Sequence, residues 1–180
     1  MNPFDFDPET KALPILLAGD PRLRERSAEV TAIDPALLAD ASALIATLRD
    51  FRERCGFGRA ISAVQVGVQK RLVAMDLGSG PFLLLNPVVT WRSDETFLVW
   101  DDCLSIPDVL VRVRRYRSIS LSYRDHQFQP QQWKELPPDL SELIQHEIDH
   151  LDGVLMTDRA EGEGAVQPMW RRSDLLEAKA

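Results

Sequence analysis

Hydrophobic and polar positions change their period twice along the 180-residue chain. In the first pattern Leu37, Ala41, Leu44, Leu48 and Phe51 recur at helical spacing. Asp34 stands where an N-cap belongs and Pro35 in the first helical position. Cys55-Gly56 supplies a stop, because Gly takes the left-handed cap without strain. Runs of β-branched and aliphatic residues then predict strands over 71–77, 81–87, 95–100, 109–114 and 117–123. Gly-Ser-Gly, Asn-Pro and Ser-Asp breaks separate several of them at spacings that suit antiparallel pairing. Residues 126–138 read as a polar connection. A second helix is expected from an Asp139 N-cap, with Glu142 completing a capping box, to a stop at Gly153. Residues 1–13 read as a loose lead-in, and 161–180 stay unplaced apart from a short helix expected over the closing PMWRRSDLLEAKA. The pattern defines one α+β domain over residues 1–180. In it, mostly antiparallel strands pack around the second helix, with one further helix on the N-terminal side.

Composition narrows the class only slightly. A chain of this length buries a substantial core, and 44% hydrophobic with 27% charged residues is ordinary for a globular protein. No apolar run approaches the roughly 18 residues of a membrane span, and MNPFDFDPET lacks the apolar segment of a signal peptide. A cytoplasmic protein is expected. The net charge of −7 disfavours a direct nucleic-acid surface. Two cysteines, Cys55 and Cys103, are too few for a disulfide scaffold, and a lone cysteine is more often a small buried hydrophobe than a ligand.

The chemistry concentrates in QHEIDHLDG, residues 145–153. At roughly 100° per residue, Leu140, Leu143, Ile144 and Leu151 form the apolar face of the second helix. Glu147 falls near the centre of that face, with His146 and His150 together on its edge. A buried carboxylate is costly without a partner. Two imidazoles at i and i+4 present their nitrogens to one point, and the intervening carboxylate can reach a water there. The pattern H-E-x-x-H also arises by chance, so a third ligand is needed. Spacing offers Glu161, Glu163, Asp174 or Glu177 downstream and His126 or Cys103 upstream, and does not choose among them.

Three ordered motifs resolve the choice. Gly58-Arg59-Ala60-Ile61-Ser62-Ala63-Val64-Gln65, Asp101-Asp102-Cys103-Leu104-Ser105 and Gln145 to His150 together resemble the signatures of the peptide deformylase family. Those signatures are Gly-x-Gly-Leu-Ala-Ala-x-Gln, Glu-Gly-Cys-Leu-Ser and Gln-His-Glu-x-x-His, and the likeness extends over roughly residues 14–160. The resemblance implies one divalent ion held by Cys103, His146 and His150, with Fe²⁺ favoured in the cell and Zn²⁺, Ni²⁺ or Co²⁺ able to replace it. It implies Glu147 as general base and acid, with the Gln65 amide and the Leu104 backbone N–H as oxyanion donors. It also implies an N-formylated peptide as substrate, formate as product and a passing contact with the ribosome. The peptide would lie against the backbone near Gly58, Arg59, Ala60 and Ile61, with Asp101, Asp102, Glu142 and Leu143 lining the site.

The chain departs from the family pattern around the ligands. Arg59 replaces an aliphatic residue, Ala60 a Gly, Ser62 an Ala, and Asp101-Asp102 the Glu-Gly pair. Asp102 is therefore expected either to adopt a glycine-like conformation or to bend the loop, and Asp101 to meet Arg115. Glu142 has two readings, the capping box and an ion pair with Arg59 across the substrate pocket. The second makes that pocket too polar for a methionine side chain. A relative acting on another formyl or acyl amide, a catalytically silent metal-binding protein and a conventional metallopeptidase remain as alternatives.

Overall fold

The computed structural model describes Phe4, residues 6–7 and residues 9–172. Helix α1 spans Pro35–Cys55, and its Asp34 cap accepts a 2.7 Å hydrogen bond from the Leu37 N–H. Gly56 closes it at φ 77°. Strands β1 (Ala60–Ser62), β2 (Leu72–Asp76) and β3 (Pro81–Arg92) follow, then β4 (Thr96–Cys103), β5 (Ile106–Tyr116), β6 (Ile119–Arg124) and β7 (Pro130–Trp133). Helix α2 covers Pro138–Leu151, and β8 covers Val166–Pro168. All pairing between these strands is antiparallel, in a five-stranded sheet ordered β1-β2-β3-β6-β7 and a three-stranded sheet ordered β4-β5-β8.

Alternation along β2 and β3 explains the larger core. Leu72, Ala74, Leu83 and Leu85 point into one cluster with the α1 residues Leu44, Ile45 and Leu48. Val73, Met75, Phe82 and Leu84 point to the opposite face, into a cluster with Leu143, Ile144 and Leu151 of α2. Successive side chains of a strand face opposite ways, so a sheet covered by a helix on each side needs apolar residues at every position. Helix α2 also touches β5, and so lies between the two sheets.

Several sequence expectations are corrected. The second helix opens at Pro138 with Pro137 at its cap and no side-chain cap, so neither the Asp139 cap nor the Glu142 capping box forms. Pro138 carries the fixed φ that suits a first helical position, which moves the boundary one residue earlier. Strand β3 continues past Asn86-Pro87 to Arg92, because Asn86 adopts φ 52° and the ladder shifts register there. Its side chain bonds the Val30 backbone, at 2.8 Å from N–H and 2.7 Å to C=O. A bulge accommodates proline without ending the strand. The polar connection 126–138 contains edge strand β7, and the unplaced tail contains β8, paired with Val109–Val111 of β5. The short helix expected at the end is met by a 3-10 turn at Met169–Arg171, and residues 173–180 lie outside the described residues.

Candidate metal centre and active site

Strand β4 ends at Cys103, directly before the tight Leu104-Ser105 turn that leads into β5. The thiol is thus presented from a strand end. His146 and His150 stand one turn apart on α2. Cys103 Sγ lies 3.2 Å from His150 Nε2, which lies 3.1 Å from His146 Nε2. All three groups are buried, and their ligand atoms fall within 4.8 Å of one another. Tetrahedral ligation with metal–nitrogen bonds of roughly 2.0–2.1 Å puts neighbouring nitrogens about 3.3 Å apart, close to this spacing. Three electron-rich donors crowded together in a buried site are mutually unfavourable unless a cation lies between them. The imidazoles register this conflict. Burial opposes charge on both rings, yet the Asp101 carboxylate holds His146 well above the ordinary histidine range, while burial and charged His146 push His150 well below it. Two rings so close disfavour both being positively charged. A divalent ion accepts both lone pairs instead, so the donor set fits one.

The surroundings orient these donors. His146 Nδ1 lies 3.0 Å from Asp101 Oδ2, which leaves Nε2 free to face the shared point. Burial tends to raise the Asp101 carboxyl, but His146 and Arg115 override it and hold the group well below the usual carboxylate range. The expected Asp101–Arg115 contact is present at 2.7 Å, and Arg115 continues to Asp149 at 2.5 Å. Asp149 in turn receives Arg159 at 2.5 and 2.6 Å. Gln65 is held by the Ser62 N–H, which donates to its Oε1 at 2.9 Å. Its amide Nε2 lies 3.1 Å from Ser105 Oγ and 3.8 Å from the Cys103 sulfur.

Glu147 is 3% exposed and accepts a 2.6 Å hydrogen bond from Ser62 Oγ. Burial raises its carboxyl above the ordinary range against the opposing effects of His146 and Ser62. It lines a cleft of about 1060 Å³ together with Gly58, Arg59, Ala60, Asp101, Asp102, Leu104, Glu142, Leu143 and His146. Ile61 does not share this wall; its side chain turns into the α1 core. Asp102 is absent from the residues with positive φ, so the ladder shifts between Asp101 and Cys103 instead, and the carboxylate accepts from Arg172 Nε at 3.0 Å. The Arg59–Glu142 pair forms. The rejected ligand candidates lie elsewhere: His126 rests edge-on against Phe4, and Glu161 pairs with Arg114. Asp174 and Glu177 fall outside the described residues. Sequence reasoning gave no role to Ser62, Asp149, Arg159 or Arg172, and the only signal for Ser62 was its departure from the family alanine.

One thiol and two imidazoles converging beside a carboxylate that is not a ligand define a class, the metal-dependent hydrolases. The polypeptide deformylase family model matches residues 12–165, and the chain belongs to that family. Peptide deformylase of Thermotoga neapolitana is 34% identical over 143 residues, 78% of this chain and 82% of that protein. The Picosynechococcus enzyme of the same name is 35% identical over 163 residues, covering 88% and 84%. The crystal structure of peptide deformylase from Thermotoga maritima superposes with a TM-score of 0.77 at 32% identity, over 84% of this chain and 99% of that one. The Synechococcus elongatus enzyme in complex with actinonin gives 0.79 at 29% identity, over 99% and 94%.

Proposed function

We propose that this chain removes the formyl group from N-formylated peptides, such as formyl-methionyl peptides, releasing formate and a free amino terminus. The observation that carries this reading is Glu147, a buried carboxylate that accepts a hydrogen bond from Ser62 and lines the same cleft as His146, one of the three converging donors. A purely structural metal site has no use for it. The curated relatives are named peptide deformylases, and the Synechococcus elongatus structure holds actinonin.

Cys103, His146 and His150 would hold the ion, which we assign as Fe²⁺ in the cell with Zn²⁺, Ni²⁺ or Co²⁺ as substitutes. When bound, a divalent ion acidifies water and polarises a carbonyl oxygen. Glu147 takes the proton as the water oxygen bonds to the formyl carbon, then returns it to the nitrogen as the C–N bond breaks. The Gln65 amide and the Leu104 N–H serve the oxygen that gains charge. The peptide adds as a strand along the free edge of β1. There Arg59 C=O is taken by the Asp76 N–H at 3.0 Å, so the alternation of an antiparallel ladder turns the Ala60 N–H and C=O towards the open side. Residues 1–180 act as one catalytic domain in the cytoplasm, touching the ribosome only in passing.

Formate release from formyl-Met-Ala and formyl-Ala-Ala peptides by protein loaded with Fe²⁺ or Ni²⁺ tests the reading. Glu147→Ala is expected to lower kcat by about 10²–10⁴-fold with its metal content unchanged. A metal-replete variant that keeps the wild-type rate refutes the role of Glu147, and no release from any formyl peptide refutes the activity.

A further inference from the structure

Across the cleft from β4, Arg59 donates through Nη2 to the Glu142 carboxylate and through Nη1 to the Asp139 carbonyl oxygen at 3.0 Å. Glu142 is the hidden partner, its side chain 13% exposed against 44% for Arg59. Because α2 is capped without it, Glu142 has no helix-capping work, and its carboxylate faces the cleft shared with His146 and Glu147. Glu142 precedes His146 by four residues, just over one helical turn and about 6 Å along the axis. A formyl carbon in reach of Glu147 places the start of the substrate's first side chain three bonds further along. A straight chain of three or four atoms spans about that same turn. Arg59 and Glu142 wall the same cleft that such a chain would enter.

Resting on the deformylation reading, we propose that Arg59 and Glu142 determine specificity, favouring formylated substrates whose first side chain ends in a hydrogen-bonding group over the apolar chain of methionine. An apolar tip strips water from both charges and returns no hydrogen bond. A carboxamide donates to the free lone pairs of Glu142 and accepts from the guanidinium, while Leu143 packs against its methylenes.

The experiment compares formyl-Gln-Ala with formyl-Met-Ala in kcat/KM. In parallel it compares the affinities of metal-chelating hydroxamates bearing the same two side chains, read by calorimetry on Ni²⁺-loaded protein. Wild type should favour the Gln member of each pair. The variant Arg59→Ile/Glu142→Leu should swing both ratios towards Met by at least about tenfold, the scale on which methylenes are discriminated in an apolar pocket. Arg59→Leu, at a half-exposed position, should swing them the same way and serves if the double variant does not fold. A wild-type preference for Met, or ratios that both variants leave unchanged, overturns the proposal. If no formyl peptide is hydrolysed, the deformylation reading fails, yet the hydroxamate ratios still decide this one.

Discussion

Ser62 has no exposed surface, and its hydroxyl touches Glu147 twice, at 2.6 Å to the carboxylate and 3.0 Å to the backbone oxygen. One hydroxyl carries one proton, and the charged oxygen is the stronger acceptor. That bond ties the carboxylate to β1 at the cleft it shares with His146. The general base therefore depends on a residue 85 positions away in sequence. Ser62→Ala removes a hydrogen bond to a charged group, worth about 1.5–3 kcal/mol. If the bond aims the base during reaction, kcat falls by roughly 10–100-fold, with KM and metal content close to wild type. Steady-state kinetics beside metal analysis checks this; an unchanged kcat means that packing alone orients Glu147. The two imidazoles and the carboxylate were legible as a candidate site from their types at i, i+1 and i+4, whereas Cys103 was singled out only by the resemblance of three ordered motifs to a known family. Ser62 was not legible, because its partner is set by how β1 meets α2, which no local pattern encodes.

Helix α2 carries two charged systems at once. Towards the cleft it offers His146, Glu147 and Glu142; towards β5 it offers Asp149 to the buried Arg115. Arg115 is 3% exposed and joins Asp101, which holds His146, to Asp149, which holds Arg159. Breaking a buried ion pair by deleting one partner strands the other charge, at a cost of about 3–5 kcal/mol. Arg115→Ala strands two carboxylates and frees the Asp101 support of His146. Chemical denaturation should show a loss of that order, and metal competition should show affinity lowered by about 10–100-fold. Unaltered metal affinity in a destabilised variant means that Asp101 holds His146 without Arg115. The apolar face of α2 and the contact between Asp101 and Arg115 were both read from sequence. The opening of the helix was misread because Asp139 and Glu142 form a capping pattern that the preceding prolines override. Its close at Gly153 was read correctly. Gly153 has φ 76°, and an added Cβ would lie 2.4 Å from the Arg24 carbonyl oxygen, so packing as well as conformation demands glycine there.

At the scale of the whole molecule the three ligands come from two separately hydrogen-bonded units. Cys103 ends a strand of the three-stranded sheet, whereas His146 and His150 ride on a helix seated against the five-stranded sheet. The smaller sheet has a modest core of its own, in which Val99, Val111, Val113 and Met156 gather around Cys103. An ion shared by these ligands ties that sheet to α2 through bonds absent from the unfolded chain. Its affinity then adds directly to folding stability, by about 2.7 kcal/mol when free metal stands at a hundred times the dissociation constant. Removing the ion should do more than lower the melting temperature uniformly. The first amide protons to lose protection against exchange should be those of β4, β5 and β8, while β2 and the first half of β3, covered by a helix on each face, keep theirs. Hydrogen exchange on metal-loaded and chelator-treated protein distinguishes the two patterns. An even loss across both sheets means that the ion stabilises the fold as a single cooperative unit, and that the β4–β5 hairpin is held to α2 chiefly by the Arg115 network.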